Sequence, residues 1–280
     1  MTETPSAATG VHAYLALQVE ALHRYREPVT HREPDAVHRM RVATRRLRSL
    51  LSTYAGLYAE MPLSRRRLRW LATELGRVRD LEVLRMRFAK RLGDERPDWF
   101  AELVEHERLA YGPLIQACSR KRTFNLLNAA EHMAASPNFS DAAAQSAEAV
   151  LTPVVEAARR DLAKALGGID AAADPDEARH SARNAAKRTR YTAEAAVALG
   201  EPAAAIAAEA KRLQNLFGRC QDDVVAIRYL EAHAPGTPLL ERERRAHTKH
   251  LARAEAALTL PTPPGADATE RAPRNIADTL

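Results

Sequence analysis

Five arginines and one histidine fall within eleven residues of the stretch VHRMRVATRRLRSLL, Val37 to Leu51. Arginine carries a planar fork of donors that grips phosphate or carboxylate bidentately and keeps its charge at every relevant pH. Successive residues of a helix turn by about 100°, so His38, Arg41, Arg45 and Arg48 share one quadrant. Val37, Met40, Leu47, Leu50 and Leu51 occupy another sector and give the helix a face to bury. A second stretch, RHSARNAAKRTRYTA, repeats the order with His180, Arg183, Lys187, Arg188 and Arg190, where Arg188 matches Arg46. Several forks on one face suit a long polyanion. A lone phosphate needs only a few donors, often backbone N–H groups at a helix start.

The neighbouring segment SRRRLRWLATELGRVRDLEVL behaves alike, placing Arg66, Arg69 and Arg77 near one another while Leu68, Leu71, Leu75 and Val78 can face a core. Residues 38–91 hold fifteen Lys/Arg against four Asp/Glu, whereas 177–230 hold nine against six. A solvated charged face is the simpler account of most basic helices, but such faces mix signs so that Glu supports Lys or Arg about four residues on. Here arginine repels arginine, which an anion would relieve. His38 and His180 open their helices and read either as packing or capping residues or as phosphate donors that charge near pH 6.5, roughly the unperturbed value. Asp80 and Asp222 follow a Gly-Arg pair at equal distance, which favours a role orienting a neighbouring fork over a catalytic one. Gly76 and Gly218 sit mid-helix, where glycine costs stability; close helix approach and ligand access both explain them.

Other chemistries find less in the sequence. Metal-assisted phosphoryl transfer needs clustered carboxylates, and covalent catalysis needs a nucleophile beside a base. Neither is visible, so no enzyme, metal or cofactor is expected. His247 and His250 lie three apart without a third ligand at suitable spacing and read as exposed. Single-strand nucleic-acid binders interleave aromatics with basic residues; Trp70 and Tyr191 lie near the basic segments, but Trp70 reads as core, and nucleic acid is not the expected partner.

These faces need helices to hold them. The chain has 280 residues, a net charge of +6, abundant alanine and 5% aromatics, a balance that reads as all-α. Cys118 and Cys220 fit neither a disulfide framework nor a zinc pattern, and there is no apolar run of about 20 residues to span a membrane and no signal peptide, so a cytoplasmic protein is expected. Turn signals such as GDERPD, ASPNFSD and GGIDAAADPD divide about eight helices. An offset of 142 residues aligns His38 with His180, Arg41 with Arg183, Arg45 with Lys187, Arg69 with Lys211, Gly76–Arg77 with Gly218–Arg219 and Asp80 with Asp222. A repeat of that length suits a four-helix bundle. The expectation is two bundles related by a pseudo-twofold axis, halves at about 11–135 and 140–257 of one 11–257 domain, with disordered tails at 1–10 and 258–280.

In VHRMRVATRRLRSLL with LGRVRDLEVL, and in ARHSARNAAKRTRY with LQNLFGRCQDD, the chain resembles the CHAD domain, the conserved histidine α-helical domain, from about Tyr14 to about His250. The resemblance implies paired four-helix bundles whose basic surface, lining a groove or channel, binds inorganic polyphosphate, and an association with polyphosphate granules and their proteins. His38, Arg41, Arg45, Arg46, Arg48, Arg77, Arg79 and Asp80 match the first half's motifs, and His180, Arg183, Lys187, Arg188, Arg190 and Arg219 the second's. Two departures matter: Gln221 stands where Arg79 does, and the second half lacks the arginines of 65–67. The alternatives are a polyphosphate phosphatase or phosphotransferase and a general polyanion or nucleic-acid binder.

Overall fold

The computed structural model describes residues 6–259. The first four helices are α1 (Ala7–Thr30), α2 (Ala36–Thr53), α3 (Arg65–Leu92) and α4 (Asp98–Ser119). A linking helix, α5 (Lys121–Ala135), leads to α6 (Ala147–Gly167), α7 (Pro175–Ala195), α8 (Glu201–His233) and α9 (Pro238–Thr259). Shifting α1–α4 by the 142-residue offset lands on α6–α9, and the 3-10 turn Ala55–Leu57 lands on its counterpart Val197–Leu199. The fold is all-α, and no strand occurs among the described residues beyond two isolated bridges.

Local chemistry sets the helix ends. Ser64 and Ser146 accept from the backbone N–H three residues on, and Asp174 accepts from those of Asp176 and Glu177 ahead of a helix that begins with Pro175. Each satisfies donors that a first turn leaves open. Gly93, at φ 61°, ends α3 in a conformation that side chains rarely adopt.

Within each half, consecutive helices pack side by side, and the halves meet where equivalent elements face each other. The basic helices α2 and α7 touch directly. Leu84 and Phe88 of α3 share an apolar cluster with their counterparts Ala226 and Leu230 of α8, closed by Phe100, Leu103, Leu239 and Leu240 from α4 and α9. Leu68, Leu71, Leu75 and Val78 are fully buried, as their spacing predicts. The larger core runs from α1–α3 into α5, α6 and the end of α7, so it crosses between the halves.

Helix already occupies part of the expected N-terminal tail at 1–10. Helix α1 begins at Ala7, with Ala7, Ala8 and Gly10 buried. A Cβ at Gly10 would lie 2.9 Å from the Ala198 backbone nitrogen, so glycine here permits α1 to close onto the Val197–Leu199 turn. Residues 1–5 and 260–280 of the expected tails lie outside the described residues, and α9 continues to Thr259. No helix among the described residues is long and apolar enough to cross a membrane.

Candidate functional site

Where α2 meets α7, with the start of α3 alongside, a cleft of about 410 Å³ opens. Its charged lining is Arg45 and Arg48 from α2, Arg65 and Arg69 from α3, and Lys187 and Arg188 from α7. Ser49, Ser52, Thr53, Asn184 and Tyr191 complete it, and no carboxylate is among them. Arg45 is the hub: its charge lowers the proton affinity of Arg41, Arg48, Arg183 and Lys187 together. Burial is the first cause in all four and the arginine field a further one. It pushes the Lys187 ammonium down to about 6, with the side chain 7% exposed. Cations held this close, with no carboxylate in the cleft lining, raise the local positive potential that attracts an anion.

Behind the cleft, Arg41 and Arg183 occupy equivalent places. The Arg41 guanidinium lies over Gly76 and reaches Asp80 at 3.6 Å, while Arg183 lies over Gly218. A Cβ at either glycine would stand 3.7 or 3.5 Å from the arginine Nε, an ordinary contact distance. The nearest neighbour of both glycines is thus an arginine side chain rather than a facing helix backbone. Asp80, expected to orient a neighbouring fork, lies beside that of Arg41. Asp222 is exposed, and its charge favours the protonated form of Arg183 without an ion pair within 4 Å among the described residues. The Arg183 Nε is buried with no hydrogen-bond partner among the described residues.

Other arginines of the two motifs are engaged elsewhere. Glu194 takes Arg46 at 3.1 Å and Arg190 at 2.5 Å, and the Tyr14 hydroxyl donates to it at 2.9 Å. Burial, then Glu194, pushes the Tyr14 hydroxyl well above its ordinary value. Arg79 pairs with buried Glu82, which also accepts from the Tyr111 hydroxyl, and Arg77 pairs with Glu74 on the surface. Arg66, Lys211 and Arg219 are exposed and do not line the cleft.

The histidines also stand apart from it. His38 is half-buried, its proton affinity lowered by burial and then by Arg79. His180 meets Gln221 at 3.1 Å, so the Arg79-to-Gln221 departure exchanges an Arg–Glu pair for a direct hydrogen bond to the histidine. His180 lines a separate hollow with Asp174, Asp176, Glu177, Arg179 and Arg228, where both signs of charge meet. Arg65 is not among the residues the repeat points to, because its counterpart is Ala207. Its position one helical turn before Arg69 was the available signal.

One expectation is overturned outright. His247 and His250 are half-buried, not exposed: the His250 Nδ1 sits 2.6 Å from an Oδ2 of Asp223, and the His247 Nδ1 3.7 Å from it. Asp223 and Glu243 are fully buried and share Arg87, with Arg91 on Glu243 at 3.2 Å. The apolar closure of α3 and α4 on α8 and α9 draws these charges inside. No cluster able to hold a metal ion occurs among the described residues.

A CHAD domain family model matches residues 13–231. Uncharacterised proteins of Mycobacterium tuberculosis strains CDC 1551 and H37Rv are each 33% identical over 236 residues, 80% of this chain and 45% of theirs. The chain therefore spans about half the length of these relatives. The crystal structure of the CHAD domain from the plant Ricinus communis superposes with a TM-score of 0.67 at 25% identity, covering 91% of this chain and 89% of that one. PptA from Streptomyces chartreusis shares the fold, with a TM-score of 0.65 at 20% identity over 90% and 96% of the two chains. Matched over most of its length by the family model, and carrying the two basic motifs on facing helices, this chain belongs to the CHAD domain family.

Proposed function

We propose that the protein binds inorganic polyphosphate in the α2–α7 cleft and does so without breaking a bond. The observation that carries this reading is the lining itself: six cations, Arg45 among them, with hydroxyl and amide groups between them and no carboxylate. A chain of phosphates supplies one negative charge per residue and lets each fork find a partner. A carboxylate ligand for Mg²⁺ would have to come from outside the lining, which favours binding over turnover. Family membership supports polyphosphate as the anion, and association with polyphosphate granules is part of the same proposal.

Calorimetric titration with long-chain polyphosphate, with and without excess duplex DNA, tests the reading. Tight binding that survives DNA is expected, with affinity falling by about 0.7 log units per log unit of salt for each charge neutralised, by analogy with single-stranded nucleic acid. Arg45→Ala with Arg188→Ala should weaken binding at least about tenfold, since charge-assisted hydrogen bonds to phosphate are the strong ones. Arg108→Ala with Arg159→Ala, exposed arginines paired to their own helices, should change it little. Equal losses in both pairs would mean that diffuse charge does the binding, and displacement by DNA would leave a general polyanion surface. Release of orthophosphate during the titration would reinstate the enzyme.

A further inference from the structure

Arg188 and Thr53 line two cavities, not one. On their far side, between α6 and α7, lies a second hollow of about 370 Å³. Pro153, Val154, Ala157, Ala158 and Ala185 form its apolar wall. Asp161, Thr189 and Thr192 supply polar groups beside the shared Arg188 and Thr53. Each cavity is within the usual range for small-molecule sites, about 300–1,000 Å³. An inorganic phosphate chain gains little from the second one: its charged donor is the Arg188 already shared with the cleft, the rest are threonine hydroxyls, and Asp161 repels it. A ligand that fills both has a chain of phosphates at one end and a compact organic group at the other.

Asp161 narrows the organic group. It is exposed and accepts hydrogen bonds only, so it matches a group that carries donors, such as an exocyclic amine or a ribose diol. An isoprenyl chain would leave that carboxylate facing hydrocarbon. We propose that the paired cavities form a site for nucleoside polyphosphates, with the phosphates among Arg45, Lys187 and Arg188 and the nucleoside against Ala157 and Ala158. The proposal rests on the cleft being a phosphate site and adds an organic ligand class to it.

Titration with ATP and GTP, against inorganic tripolyphosphate in the same magnesium-free buffer, separates the two ideas. At least one nucleotide should bind about tenfold tighter than tripolyphosphate, a difference within reach of burying one aromatic ring. Ala157 is exposed, so Ala157→Phe fills the hollow without disturbing the core; thermal melting checks that it folds. In that variant the nucleotide advantage should vanish while tripolyphosphate binding stays unchanged. Nucleotides binding no better than tripolyphosphate, or an advantage that survives Ala157→Phe, would overturn the nucleoside site and leave the phosphate cleft standing. Failure of all three ligands to bind would overturn both.

Discussion

Lys187 matches Arg45 in the repeat, yet the two cations do different work because only one of them can lose its proton. Burial and the nearby arginines hold the Lys187 ammonium at about 6, against roughly 10.4 for a free lysine. Between those values the unfolded chain binds the proton and the folded chain does not, so this residue's destabilising effect is full below about pH 6 and fades as pH rises towards 10. Lys187→Met should therefore stabilise the ligand-free protein, more at pH 6.5 than at pH 9.5, as chemical denaturation at the two pH values will show. A phosphate chain reverses the balance by favouring the ammonium. Polyphosphate binding at pH 7.5 should take up protons, detected as a dependence of the binding heat on the buffer's ionisation enthalpy, and should tighten from pH 8 to pH 6. Lys187→Met should reduce both effects; unchanged proton uptake would place the coupling on another group.

At the scale of helices, the offset reads well because the same periodic pattern has to bury the same faces twice, and α1–α4 fall on α6–α9 with their connecting turn. The offset does not tell which arginines stay free. Position 52 shows why. Ser52, on the cleft, corresponds to Glu194, which holds Arg46 of the first half and Arg190 of the second. A single residue type at one register point leaves Arg48 open on the cleft and neutralises its counterpart Arg190, and spacing of basic residues alone carries no sign of it. Nor does spacing reveal His250 against Asp223, which come together only when α9 folds back on α8. Ser52→Glu should reproduce the Glu194 pairing at the cleft, engaging Arg48 four residues before it and Arg65, whose Nη1 now donates to the Ser52 hydroxyl at 3.3 Å. Polyphosphate affinity should drop at least about tenfold through loss of charge-assisted contacts, with fold stability changed by under about 1 kcal/mol for an exposed helix-end charge. A variant that binds as tightly as the parent would show that the chain lies elsewhere on α2.

Across the whole molecule, the two halves are joined by devices of opposite character. The repeat predicts that the surroundings of Arg87, Asp223 and Glu243 recur around Tyr229, Leu81 and Ala101, the residues found at the equivalent positions. The second set is apolar: Tyr229 lies with Phe88 and Trp99, and Leu81 packs against the same cluster. The first set is ionic, with two carboxylates fully buried on Arg87. A buried pair returns little net stability compared with a well-packed apolar substitute, but removing one member leaves a charge without its partner at a cost of about 3–5 kcal/mol. Arg87→Tyr alone should lower the unfolding free energy by about that amount, because Arg91 and His250 reach only one carboxylate each. Arg87→Tyr with Asp223→Leu and Glu243→Ala copies the apolar set into the ionic place and should recover most of the loss, read as the midpoint and slope of urea unfolding. A triple variant no more stable than the single one would show that this corner needs its charges to dock the halves, and that the pseudo-symmetry of the backbone does not extend to the packing around its axis.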